Sequence, residues 1–143
     1  MLNAAAVACI EQVRLGFVAS VSPKGTFVVL DERKIAFAEI RSPGTISNIG
    51  HSPEVEVNFV DSFRRKGWRM RGVTQILRRG SADFEEIFPK WDALWADLSA
   101  RIRAIVVIKV SEVKPLSTPP YDDGVTEAEM IALYKEKYAK LYP

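Results

Sequence analysis

The stretch that decides the fold is Thr26-Phe-Val-Val-Leu30, Asp31-Glu-Arg-Lys34, Ile35-Ala-Phe-Ala-Glu-Ile40, followed by Arg41-Ser-Pro-Gly-Thr45. Two runs rich in β-formers flank a polar four-residue connection. Upstream, Phe17–Val21 is a short apolar run, and Ser22-Pro-Lys-Gly25 carries Pro and Gly at turn positions. Three consecutive strands with tight connections predict an antiparallel meander rather than βαβ units. At its end Ser42-Pro43 signals a helix start, with Ser42 as N-cap, Pro43 at the first helical position and Gly50 as terminator.

Outward from this stretch, Leu2, Ala5, Ala6, Cys9 and Val13 recur at helical spacing. Residues 54–61 alternate cleanly, with Val55, Val57 and Phe59 on one face, as a half-buried strand does. Residues 62–67 read as a basic loop, and residues 68–77 as a strand with Trp68 and Met70 opposite Arg69 and Arg71. Residues 81–103 are mostly helical, split by Pro89, with a stripe of Trp91, Leu94, Trp95, Leu98 and Ile102. Residues 105–110 are apolar except for Lys109 and read as a strand buried on both faces. Thr126 and Glu129 form a capping box before a final stripe of Ile131, Tyr134, Tyr138 and Leu141. The expected architecture is one domain over residues 1–143, mainly β with peripheral α. It is a small split β-barrel of Greek-key type, with six or so mostly antiparallel strands, short helices and a C-terminal helix.

Composition narrows the chemistry. The chain has 143 residues, 20 Lys+Arg against 18 Asp+Glu, one Cys and one His. One Cys excludes an intrachain disulfide and multi-thiolate metal sites, and one His excludes two-His motifs, so no metal site is expected. No membrane span and no basic-led signal peptide is legible, so a cytoplasmic location is expected. GxGxxG, Walker A and G-x-S-x-G patterns are absent from the sequence.

Three clusters could carry chemistry. The corner Glu39-Ile-Arg-Ser-Pro-Gly-Thr45 joins a strand to a helix start, where free N–H groups, hydroxyls and Arg41 suit a phosphate; an ordinary capped helix with a solvated Arg is the competing reading. Lys24 and Thr26 sit at a turn tip, where a plain exposed Lys is the alternative. Phe63-Arg-Arg-Lys-Gly-Trp-Arg-Met-Arg71 suits a small anion, Arg69 and Arg71 converging from one strand face; its alternatives are a solvated hairpin or a nucleic-acid surface. Near-neutral overall charge argues against nucleic acid as a partner. Cys9 reads as a core residue, His51 as a local helix-end contact, and Trp91 and Trp95 as packing anchors.

In order and spacing, Ser22–Thr26, Ile35–Thr45, Asn48-Ile49, Val55–Val60 and Phe63–Gly72 together resemble the pyridoxamine 5′-phosphate oxidase-like family of flavin-binding split barrels. The resemblance implies a homodimer with FMN in the groove between subunits. It would place Lys24 and Thr26 along the ribityl-phosphate side. Glu39, Ile40, Arg41, Ser42 and Thr45 would meet the phosphate and ring, and Lys66, Trp68 and Arg69 would lie near the flavin or its dimer mate. It implies an FMN-dependent oxidoreductase whose chemistry is the flavin's, with no residue assigned as acid or base. The alternative is a non-catalytic flavin-binding or cofactor-free module. Relatives usually carry a full hairpin where Phe17–Gly25 runs straight through, so the first strand pair should be rearranged.

Overall fold

The computed structural model describes residues 1–13, 16–18 and 26–143. Six strands form one antiparallel sheet: β1 (Gly16–Val18), β2 (Phe27–Asp31), β3 (Lys34–Glu39), β4 (Glu54–Asp61), β5 (Lys66–Arg78) and β6 (Ala104–Leu116). Their order is β1-β4-β5-β6-β3-β2. Five helices accompany them: α1 (Ala4–Val13), α2 (Pro43–His51), α3 (Ala82–Ile87), α4 (Pro89–Trp95) and α5 (Glu127–Leu141). This is the small split barrel with peripheral helices that the strand pattern predicts.

The expected meander is present in its second half, and the link from β1 to β2 falls on residues outside those described. β2 and β3 do form a hairpin, with Phe27 opposite Phe37, but β1 pairs with β4, Gly16 opposite Phe59. The described part of β1 is thus held by a strand far away in the chain. The remainder of the shortened hairpin, including the Ser22–Gly25 turn, lies outside the described residues.

Strand pleat explains the two cores. In β3, Ile35 and Phe37 point into the barrel, while Ala36 and Ala38 point to the other face. In β6, Val106 and Ile108 face inward, and Ile105 and Val107 face outward. The barrel interior holds Phe27 against Phe37 and Phe59, the latter ring edge-on at 4.9 Å. Leu2 and, from α1, Ala6 and Ile10 plug it. The outer core packs Phe84 of α3, Trp91 of α4 and Ile102 onto the sheet. Ile105 to Ile108 are thus buried on both faces, although their strand is antiparallel; helices on the outer face make that so, and Lys109 beyond them is exposed.

Pro89 splits the helical stretch as expected, because Phe88 closes α3 and Pro89 opens α4. The stripe beyond it fails. Leu94 is already exposed on α4, and Ala96 at φ 45° breaks the helix, so that Leu98 is exposed while Trp91 and Ile102 are buried. α2 runs through Gly50 to His51 and stops at extended Ser52, just before Pro53, so Gly50 is not its terminator. His51 Nδ1 lies 2.7 Å from the Ser47 carbonyl, a local contact as expected. The Thr126–Glu129 capping box forms. α5 then docks on the β4–β5 hairpin through Phe63 against Tyr138 and Arg65 over Tyr134, and only Met130 of the helix is buried.

Candidate functional site

The β3–α2 corner is built by a strand that ends on a buried carboxylate. Glu39 is 5% exposed, and its side chain accepts the Ser42 N–H. Ser42 makes no side-chain cap bond; Glu39 supplies the negative group at the helix's positive end instead. Thr45, one turn in, is 1% exposed, and its Oγ1 has no hydrogen-bond partner. A buried orphan hydroxyl is uncommon and calls for a polar ligand. Arg41 is exposed and has no ion-pair partner among the described residues. A Cβ placed on Gly44 would meet nothing within 4 Å, so the corner is open to approach. Hydroxyl, guanidinium and open backbone fit a phosphate monoester; the Glu39 carboxylate works against it.

Ile40 and Arg41 also line a groove of about 510 Å³ with Arg79, Arg101 and Arg103. Thr26, at the start of β2 with φ 54°, does not face this corner through a free hydroxyl: its Oγ1 accepts the Trp95 indole N–H at 3.0 Å. Lys24 lies outside the described residues.

The second group sits elsewhere. Lys66 and Trp68 line a groove of about 570 Å³ whose far wall is α1, contributing Ala5, Ala8 and Cys9. Lys66 Nζ is 3.2 Å from Glu127 and 3.9 Å from the Tyr121 ring centroid. Arg64 pairs with Asp61 at 2.6 Å and with Glu127 at 3.5 Å. Burial pushes the Cys9 thiol up and the Asp61 carboxylate raises it further, outweighing Arg64, so Cys9 is held as a neutral thiol.

For Asp61, burial acts upward. Hydrogen bonds from the Arg64 and Phe63 N–H groups and the Arg64 guanidinium outweigh it and hold the carboxyl below its ordinary value. Its stabilising contribution is therefore complete above the ordinary carboxylate range, about pH 4, and is lost as pH falls through the lowered value. Urea midpoints taken between neutral pH and about pH 3 should fall steeply for the wild type. They should fall less for Asp61→Asn, which begins lower.

Arg69 and Arg71 do share a strand face, but they converge on an internal carboxylate rather than a free anion. Arg71 Nε donates to Glu56 at 2.7 Å, and Arg69 Nε lies 3.9 Å from the same side chain. Register explains it: Asn58 faces Arg69 and Glu56 faces Arg71 across β4 and β5. With Arg64 and Lys66 paired and Arg65 on an aromatic ring, the basic run is committed internally.

One chain does not unite the two groups. Trp68 pairs with Pro115, whereas Arg78 pairs with Ala104, which also pairs with Glu39. The path along β5 between these ends is roughly 30 Å. No described residue lines both grooves. Arg79, Arg101 and Arg103 stand outside the three clusters that the sequence marks. Their signal was there in Arg78-Arg79 and Arg101-Ile-Arg103, basic pairs at the ends of two strands that turn out to be neighbours. Among the described residues, no cluster of three or more His, Cys, Asp or Glu side chains could hold a metal. No described helix is long and apolar enough to cross a membrane.

Comparison with known proteins places this geometry. The family model described as pyridoxamine 5′-phosphate oxidase matches residues 2–118. Among solved structures, HupZ of Group A Streptococcus is 23% identical, with a TM-score of 0.68 over 82% of this chain and 96% of that one. An FMN-binding protein of Syntrophomonas wolfei is 12% identical, with a TM-score of 0.61 over 79% of this chain and 84% of that one. The heme storage protein HutZ of Vibrio cholerae is 10% identical, with a TM-score of 0.60 over 80% and 94%. At these identities the likeness is one of fold. No curated protein matches the chain.

Proposed function

This chain belongs to the pyridoxamine 5′-phosphate oxidase family, and from that membership we propose that it is an FMN-binding oxidoreductase that works as a homodimer. The observation that carries the reading is the buried, unpartnered Thr45 hydroxyl beside unpaired Arg41 at the open β3–α2 corner. Arg41, Ser42 and Thr45 would hold the FMN phosphate, with Glu39 and Ile40 beside it. Lys24 and Thr26 would run along the ribityl side, Thr26 through its Trp95-bound hydroxyl or its backbone.

Distance supports the homodimer. Lys66, Trp68 and Arg69 sit at the opposite end of β5 from the corner, so they reach a flavin held there only from a second copy of the chain. A site shared between subunits makes both groups useful. The flavin, when bound, supplies hydride transfer. The chain's own residues bind the phosphate, orient the ring and place positive charge near it.

A second reading is a split-barrel module that holds no cofactor. One observation favours it: the Glu39 carboxylate already takes the Ser42 N–H at the helix end where a phosphate would sit.

Purified protein separates the two. Bound chromophore with flavin absorbance is expected, and colourless protein that FMN does not reconstitute would sink the first reading. The double variant Arg41→Ala/Thr45→Ala should weaken FMN by roughly 10- to 100-fold, because a charged donor and a hydroxyl are lost together. Its thermal stability should stay close to wild type, since the Thr45 hydroxyl has no protein partner to lose. Unchanged FMN retention would refute the corner assignment.

A further inference from the structure

We propose that the arginine-lined groove between the β3–α2 corner, the end of β5 and the start of β6 binds the pyrophosphate group of an organic diphosphate, of the nucleoside diphosphate class. The proposal goes beyond the flavin reading: it shares Ile40 and Arg41 with that reading and adds Arg79, Arg101 and Arg103, which that reading does not use.

Sheet register assembles the groove. Ala104 pairs with Glu39 on one side and with Arg78 on the other, so three chain segments meet there. Arg41 comes from the first, Arg79 from the second, and Arg101 and Arg103 from the third. No Asp or Glu lines it. None of the four arginines has an ion-pair partner among the described residues, and the undescribed residues 14, 15 and 19–25 include no Asp or Glu. Elsewhere this chain pairs its arginines readily: Arg33 with Glu32, Arg64 with Asp61, and Arg69 and Arg71 with Glu56. Like charges gathered without a counter-charge repel, and an anion relieves that repulsion.

One of the four is fixed in place. Arg79 Nε donates to the Ile102 carbonyl at 2.7 Å and Nη2 to the Ser99 carbonyl at 3.0 Å. Its guanidinium lies 5.3 Å from the Phe84 ring centroid and 5.0 Å from that of Phe88, and those two rings stack on each other. A guanidinium held by carbonyls and aromatic faces is pre-organised, so less entropy is lost when it binds an anion. The groove's volume of about 510 Å³ exceeds what a single phosphate fills and falls in the range of small-molecule sites, roughly 300–1,000 Å³. Four guanidinium groups match the multiple negative charges of a pyrophosphate, and guanidinium forks suit its oxygens. Ile40 and Ala100 offer apolar contact to the organic part.

The test is calorimetric titration of the full chain with ADP, inorganic pyrophosphate, inorganic phosphate and single-stranded oligonucleotides of increasing length. ADP and pyrophosphate should bind, and phosphate should bind at least about 10-fold more weakly. The double variant Arg101→Gln/Arg103→Gln should weaken ADP by roughly 10-fold or more, with circular dichroism and flavin content equal to wild type. Pyrophosphate bound but ADP rejected would overturn the organic diphosphate. So would ADP no tighter than phosphate, ADP unaffected by the variant, or oligonucleotide affinity that grows with length beyond that for ADP. Because Arg101 and Arg103 have no part in the flavin reading, failure here leaves flavin absorbance untouched. A colourless protein, conversely, leaves the ADP titration intact.

Discussion

Trp91→Ala should cost about 3–5 kcal/mol of folding stability. The indole is fully buried in the outer core, where Phe84, Ile102 and the outward-facing side chains of β6 surround it. Truncation opens a cavity between a sheet face and two short helices that cannot collapse independently, because Phe88 joins them and Ile102 leads directly into β6. Domains of ordinary stability have about 5–15 kcal/mol in total, so the loss is a large fraction. It should appear as a lower urea midpoint with an unchanged slope. Trp91→Phe gives the contrast. The indole N–H is buried without a partner, so Phe removes an unsatisfied donor along with some volume, and its cost should be well below that of Ala. Equal costs for Ala and Phe would mean the ring is not packed as described.

Gly67→Ala should be comparably damaging, at about 3 kcal/mol or more, for a different reason. A Cβ at this position would stand 1.9 Å from the Phe59 carbonyl oxygen and 3.0 Å from the Val60 Cα. Both obstacles are backbone, so no side-chain rotation relieves them, and β4 must separate from β5 where Val60 faces Gly67. The hairpin that would open carries Lys66 and Trp68. Gly67→Ala should therefore lose flavin along with stability, whereas Trp91→Ala at temperatures where it stays folded should keep it. Thermal melts and bound absorbance on the same samples check both. A Gly67→Ala protein as stable as wild type would show that the two strands are further apart at this point.

Much of the fold was legible because the strands obey simple alternation. Val55, Val57 and Phe59 mark β4 to its limits, and a polar turn does join β2 to β3, but it is Glu32-Arg33 alone: Asp31 and Lys34 belong to the two strands and face each other. The capping box and the Pro89 split were legible for the same reason: each is a local rule with a local cause. What escaped was set at a distance. The partner of β1 is a strand far away in the chain. The break in the stripe after Trp95 depends on Ala96 adopting a conformation that its side chain disfavours. The fate of Arg69 and Arg71 depends on Glu56 lying opposite, which no reading within one strand reveals. At the candidate site, the corner from Glu39 to Thr45 was legible as a strand meeting a helix, but Glu39 as the group already seated at that helix end was not. Burial of a carboxylate is invisible in a sequence. The arginine groove was hidden for a similar reason: its members are scattered from residue 41 to residue 103 and meet only through the β3–β6 and β5–β6 ladders.

The sheet order carries a consequence for how the chain is made. β6 lies between β5 and β3 and is the only described strand that joins the β2–β3 hairpin to the β1-β4-β5 half. It is also the last of the six described strands to leave the ribosome. Until Leu116 has emerged, two finished hairpins wait with open edges toward each other, and the pairing of Lys34 with Lys109 has a long loop still to close. Non-local closure of this kind sets a slow folding rate and leaves hydrogen-bonding edges exposed during synthesis. The strand that completes the barrel also leads in through Arg101 and Arg103, so the groove and the fold are finished in the same event.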